Sequence, residues 1–279
     1  MTERAEPSSR AQLCDGLAAL GVGSGDMVMV HASLKALGPV EGGPATVVDA
    51  LCEAIGRDGT LLAYVSWDRS PYEETLGGNR LSPEERDVWP AFDPETAGAY
   101  PGFGALNAFI VAHPEARRSG HPDASMAAIG HDADWLVADH CLDRAYGPGS
   151  PLEKFIDRNG KVLLLGASLD AVTVLHYAET VADIPGKRRV SYEVPVLDEN
   201  GRKVWRRTEE FDSNGILDCY AREGEPDAVE TITRAYLGEG RHRTGTVGAA
   251  QSYLFDAADL VAFGKAWLEA RHGGRSSVA

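Results

Sequence analysis

The chain has 279 residues, 43% hydrophobic and 25% charged, a balance that excludes a disordered or fibrous protein and allows one large domain or two small ones. Its 42 acidic residues against 27 Lys and Arg give a formal net charge of −15, a sign that repels phosphate backbones and argues against nucleic-acid binding. The first ten residues are polar and mixed in charge, and no run approaches the ~20 apolar residues of a membrane span, so a cytoplasmic protein with no membrane partner is expected.

In chain order, Leu13, Leu17 and Leu20 fall at helical spacing and predict a helix over 10–20, stopped by the glycines of 21–25. Residues 27–30 then read as a short buried strand, 45–55 as a helix and 59–65 as a second buried strand. Such alternation predicts an α/β fold with a partly parallel sheet. From 66 to 101 the periodicity is lost, and eight acids stand against three arginines between Asp68 and Glu95, interleaved with aromatics such as Trp67, Tyr72, Trp89 and Phe92. A long irregular excursion of this kind usually carries function, although a solvated acidic loop anchored by its aromatics has the same composition.

A helix is expected over 104–112, and 161–166 is apolar without alternation, as a central strand covered on both faces should be. A helix over 171–182 follows, then a hairpin over 190–207 with Asp198-Glu-Asn-Gly201 as its turn, which implies a mixed sheet, and helices over 228–236 and 257–270. The helix after 161–166 brings Thr173, His176 and Glu179 onto one side at intervals of three. A carboxylate bonded to one ring nitrogen of a histidine fixes its tautomer and leaves the other nitrogen to accept a proton, but a histidine satisfied by packing would show the same spacing.

Other chemistries lack their signatures. Gly166-Ala-Ser-Leu-Asp170 departs from a nucleophile elbow at its last position, and Gly21-Val-Gly-Ser-Gly25 precedes a strand where a dinucleotide fingerprint must follow one. There is no phosphate-binding P-loop and no paired-histidine array, so no metal is expected. Cys14, Cys52, Cys141 and Cys219 are widely spaced and read as buried or incidental thiols.

Five ordered stretches, His31-Ala-Ser-Leu-Lys-Ala-Leu-Gly-Pro-Val-Glu-Gly-Gly43, Trp67-Asp-Arg-Ser-Pro-Tyr-Glu-Glu-Thr75, His121-Pro-Asp-Ala-Ser125, Gly149-Ser-Pro151 and Leu175-His-Tyr-Ala-Glu179, together resemble the aminoglycoside 3-N-acetyltransferase family. The resemblance covers about residues 10–270 and implies one antibiotic N-acetyltransferase domain, a three-layer α/β sandwich with a mixed, partly parallel central sheet and a long irregular insertion. It implies transfer of acetyl from acetyl-coenzyme A to the 3-amino group of a 2-deoxystreptamine antibiotic, giving resistance, by direct attack with His176 as base, Glu179 orienting it and Thr173 donating a hydrogen bond.

On the same basis His31, Ser33, Leu34, Lys35, Ser119, His121 and Ser125 would hold the coenzyme. Asp68, Glu73, Asp93, Asp212 and Glu223 would meet the drug's ammonium groups, and Tyr64 and Trp67 would pack on its sugar faces. Two other readings stay open: acetylation of a different amine, and sequestration of polycations without catalysis. The oligomeric state is left open.

Overall fold

The computed structural model describes residues 6–212, 224 and 226–273. Helix α1 (Arg10–Leu20) begins with a reciprocal cap, in which Ser9 Oγ accepts from the Gln12 N–H and the Gln12 side chain accepts from the Ser9 N–H. It ends at Gly21, whose φ of 108° is the left-handed conformation that a helix stop favours. The chain then forms β1 (Met27–Ala32), the short α2 (Leu34–Leu37), α3 (Pro44–Ile55) and β2 (Thr60–Tyr64), close to the predicted bounds.

The excursion from 66 to 101 is irregular as expected, broken only by α4 (Tyr72–Thr75), α5 (Pro83–Val88) and two single 3₁₀ turns. Beyond it lie α6 (Leu106–Val111), β3 (Arg117–Arg118), β4 (Met126–Gly130), α7 (Ala133–Val137), α8 (Pro151–Asp157), β5 (Lys161–Leu165) and α9 (Val174–Val181). The remaining elements are β6 (Arg189–Leu197), β7 (Lys203–Phe211), α10 (Ala228–Gly238), β8 (Arg243–Val247), β9 (Ala250–Asp256) and α11 (Ala257–His272).

Seven strands make one sheet in the order β3-β4-β2-β1-β5-β9-β8. β1 runs parallel to β2 and to β5, while β4, β9 and their outer neighbours are antiparallel, so the sheet is mixed. Its registers are enforced by the pleat. Met27 and Met29 on β1, Leu62 on β2 and Val162 and Leu164 on β5 face one apolar layer with α7 to α11, whereas Val28, Val30, Leu61, Leu163 and Leu165 face the other with α1, α3 and α6. The result is three layers, helices on both faces of the sheet. The chain leaves β1 toward β2 across one face and returns to β5 on its other side across the opposite face, so the strand order reverses at β1, and the crevice at the carboxyl ends of β1 and β5 is the expected place for a ligand.

The hairpin forms with its predicted turn, but it does not join the main sheet. β6 and β7 make their own two-stranded sheet, and the mixed character of the large sheet comes instead from β4 and β9. The hairpin packs on the insertion: the Phe92 N–H donates to the Pro195 carbonyl at 2.8 Å, the Glu193 N–H donates to Thr75 Oγ1 at 3.0 Å, and the Tyr72 and Tyr192 rings meet edge to face at 4.7 Å. Lys203 Nζ donates to the carbonyls of Arg86 and Trp89, both at 2.9 Å, and the Arg86 guanidinium lies over the Trp205 ring at 4.3 Å. Insertion and hairpin together build a wall beside the sheet's carboxyl edge.

Candidate active site

β5 delivers the chain to that edge, and after a short turn α9 begins beside it. His176 stands in the first turns of α9, and its Nδ1 lies 2.7 Å from Glu179 Oε2, one turn on. Glu179 is buried, so its carboxylate has few competitors for that bond, and Nδ1–H donating to it leaves Nε2 as the free base position. Burial works against a charge on the imidazole, but the Glu179 charge and hydrogen bond, helped by Asp227, outweigh it and hold His176 above its ordinary pKa. Thr173 is buried at the start of α9, where its carbonyl accepts from the His176 N–H at 3.0 Å.

Around the dyad, His31 at the end of β1 lies within electrostatic range of His176. Burial and the neighbouring charge of His176 press His31 down to about 4, so it stays neutral, and its Nε2 is a buried polar atom without a hydrogen-bond partner. The Tyr146 ring lies 4.9 Å from the His176 ring, and its hydroxyl donates to Tyr64 Oη at 2.7 Å. Tyr64 continues an aromatic series through Phe103, at 4.7 Å, to Tyr100, at 4.9 Å from Phe103.

A cleft of about 200 Å³ opens next to Tyr146, lined also by Arg144, Thr180, Arg189, Phe211 and Glu210. Glu210 Oε2 accepts from the Ala145 N–H at 2.8 Å, and Oε1 accepts from the Tyr192 hydroxyl. Nearby, burial pushes Asp123 up to about 6, with Glu210 and Glu73 acting in the same direction against His121 and the Ser70 hydrogen bond. Carboxylates crowded until one resists ionisation favour a cation among them.

The candidates thus separate. His176, Glu179, Thr173, His31 and Tyr64 converge on the edge of the sheet. Ser33 and Leu34 are half-buried and Lys35 exposed at the start of α2, immediately after β1, where Ser33 Oγ caps the Ala36 N–H at 3.3 Å. Glu73 is exposed on α4 and within electrostatic reach of Asp123.

Ser119, His121 and Ser125 are placed otherwise than at a coenzyme. All three are fully buried, and their bonds are made inside the protein: Ser119 with Met126 and His140, His121 with Ala124 and Leu142, Ser125 with Arg118. Trp67 is likewise buried, edge-on to Phe92 at 5.4 Å, a packing position with 3% of its surface exposed. Asp212 is buried against the Arg188 guanidinium and accepts from the Tyr72 hydroxyl at 2.7 Å, so its charge is already matched. Asp93 closes a local turn, accepting from the Glu95 N–H at 3.0 Å and the Thr96 hydroxyl at 3.1 Å, and Asp68 is exposed beside Gly98 with Arg118 in electrostatic range. Glu223 lies outside the described residues.

Sequence reasoning passed over Tyr146, Glu210 and Asp123. Asp123 sat inside a quoted stretch, and Glu210 lies two residues from Asp212, but nothing in their spacing announces that they meet.

A histidine bonded to a buried carboxylate, at the switch point of an α/β sheet and beside a cleft lined by Glu210, Arg189 and aromatic rings, is the arrangement of an enzyme site able to accept a proton from a bound substrate. The chain belongs to the aminoglycoside 3-N-acetyltransferase family, whose sequence model matches residues 29–269. It is 62% identical over 254 residues to aminoglycoside N(3)-acetyltransferase III of Serratia marcescens, covering 91% of this chain and 94% of that protein. It is 46% identical over 277 residues to aminoglycoside N(3)-acetyltransferase VIII of Streptomyces fradiae, covering 98% and 96%. Among solved structures, sisomicin-bound AAC-VIa superposes with a TM-score of 0.93 at 58% identity, over 96% of this chain and 100% of that one. The binary complex of AAC-IIIb with CoASH superposes with a TM-score of 0.90 at 43% identity, over 97% and 100%.

The residues at the edge fit acetyl-coenzyme A as cosubstrate in their donor chemistry. His31 offers an unpartnered buried ring nitrogen next to the base, and Lys35 offers a solvent-facing cation for a phosphate a few residues away.

Proposed function

We propose that this protein transfers the acetyl group of acetyl-coenzyme A to the 3-amino group of a 2-deoxystreptamine aminoglycoside, with His176 as general base and the drug's amine as the direct nucleophile. The observation that carries this reading is the His176–Glu179 pair at 2.7 Å, beside a cleft lined by Glu210 and aromatic rings. Acetyl-coenzyme A, when bound, supplies the activated carbonyl. His31, Ser33, Leu34 and Lys35 would hold it at the end of β1.

His176 Nε2 would accept the proton that the amine sheds as its C–N bond forms, Glu179 stabilising the imidazolium through Nδ1–H, and would return that proton to the thiolate that leaves as the C–S bond breaks. An amino sugar is largely protonated at neutral pH, so a histidine held above its usual pKa suits the task. Thr173, at the start of α9, would turn its hydroxyl from the long 3.4 Å bond to the Ala171 carbonyl to donate to charge developing on the acyl oxygen. Glu210, Glu73 and Asp123 supply the negative field for the remaining ammonium groups, and each direct charge-assisted bond there contributes about 1.5–3 kcal/mol. One domain, working in the cytoplasm where acetyl-coenzyme A is made, suffices for this chemistry.

The test is His176→Ala, assayed by release of free thiol from acetyl-coenzyme A with a panel of 2-deoxystreptamine drugs. Turnover should fall by about 10²–10⁴-fold while calorimetric drug binding persists. Wild-type protein that binds drugs but releases no thiol with any of them would be a sequestering protein instead. Product NMR that places the acetyl group on another amine would correct the regiochemistry.

A further inference from the structure

Ala145 lies in the loop between α7 and α8, and both peptide groups flanking it are held by side chains, one from β7 and one from earlier in the same loop. Its N–H donates to Glu210 Oε2 at 2.8 Å, and its carbonyl lies 3.0 Å from His140 Nε2. A carbonyl only accepts, so Nε2 carries the hydrogen. Burial presses His140 down to about 3, His121 acts in the same direction, and the ring is neutral. Nδ1 therefore accepts, and 2.9 Å away the Ser119 hydroxyl supplies the hydrogen. Ser119 Oγ itself accepts from the Met126 N–H at 2.9 Å. An unbroken series runs from the first residue of β4 through Ser119 and His140 to the Ala145 carbonyl, every donor and acceptor assigned.

His140 and Ser119 are buried and line no part of the cleft. What they fix is the next residue, Tyr146, whose ring lies 4.9 Å from that of His176. The titratable groups around His176 are Glu179 from its own helix, His31 from β1, Tyr146 from this loop and Asp227 from the start of α10. Of these, Tyr146 alone hangs on a loop rather than on a helix turn, a strand or a helix cap. Its place must therefore be set by side chains.

We propose that His140 is a positioning residue for the acetyl transfer, which by holding the Ala145 carbonyl sets Tyr146 against His176 and so governs how much water reaches the base. This rests on His176 being that base. When His140 is removed the loop relaxes, Tyr146 draws off, the imidazole is better hydrated and its cation is tolerated to higher pH.

The experiment is a double-mutant cycle with full pH profiles. His140→Phe should lower kcat about 10-fold and move the acid limb of kcat to higher pH, with the KM for acetyl-coenzyme A unchanged. His140→Gln, which keeps an N–H for the Ala145 carbonyl, should restore most of the rate. On a Tyr146→Ala background His140→Phe should cost nothing further. Should the phenylalanine variant fail to fold, Ser119→Ala removes the partner that fixes the ring's tautomer, together with the acceptor of the Met126 N–H, and should shift the acid limb in the same direction with a smaller fall in kcat.

A wild-type pH profile in His140→Phe or in Ser119→Ala, an undiminished effect on the Tyr146→Ala background, or no rescue by glutamine would each overturn the proposal. None of these outcomes touches the base assignment, which fails only if His176→Ala still turns over.

Discussion

At the carboxyl edge of the sheet, the groups around the dyad hang on backbone. His31 ends a strand paired to β5 over five residues, and His176 and Glu179 share two turns of α9, so their separation is fixed by a strand register and a helix pitch. The wall of insertion and hairpin is held differently. There, side chains reach across more than a hundred positions, Lys203 to the carbonyls of 86 and 89 and Thr75 to the amide of 193, and small aromatic clusters stand in for a core. On the proposed function, chemistry would sit on the rigid part and drug recognition on the stitched part. The first should therefore respond sharply to single changes at one place, while the second spreads its contributions over many groups and can be altered without disturbing the dyad.

Three experiments sharpen or break that contrast. Trp67 anchors the insertion, so Trp67→Ala should reduce stability by about 3 kcal/mol in chemical denaturation while the drug's KM stays near wild type. A raised KM with unchanged stability would instead return this ring to a sugar face.

Glu179→Gln should lower kcat about 100-fold, equivalent to about 2.7 kcal/mol, with little effect on folding. The pH dependence gives its own sign. His176 is held above its ordinary value and works when neutral, so the rate of the parent enzyme should fall as pH drops through a limb higher than the free-histidine value of about 6.5. Without the carboxylate that limb should move to lower pH, and an unmoved limb would mean that Glu179 does not orient the titrating base.

The smallest effect is expected from salt. Rising ionic strength should raise the drug's KM a few-fold through screening of several ammonium–carboxylate contacts, and a flat dependence would count against the acidic wall.

Much of the rigid part was legible in sequence. Leu13, Leu17 and Leu20 at helical spacing before the glycines of 21–25, the continuous apolar run of 161–165, and the three-residue spacing of His176 and Glu179 all express local rules that the fold obeys. β4, by contrast, is Met-Ala-Ala-Ile-Gly, too short and too small in its side chains to stand out, and β8 and β9 carry Gly, Thr and Gln on half-exposed positions. The site suffered from a different ambiguity. Ser119, His121, Ser125 and Asp212 are the residue types that bind ligands, yet their partners are other residues of the chain, and a sequence does not say on which side a polar group's partner lies. Tyr146 and Glu210 met the opposite fate: 64 positions apart and unremarkable in pattern, they are neighbours only once β7 lies along the loop after α7.

The neighbouring imidazoles of His31 and His176 have a last consequence. Because burial, together with the charge of His176, keeps His31 neutral, His176 alone of the two is suited to carry a hydrogen ion. On the proposed mechanism the ion that His176 lifts from the amine would therefore be handed on from that same ring, to the thiolate leaving the acetyl group, since the ring at the end of the strand stays neutral.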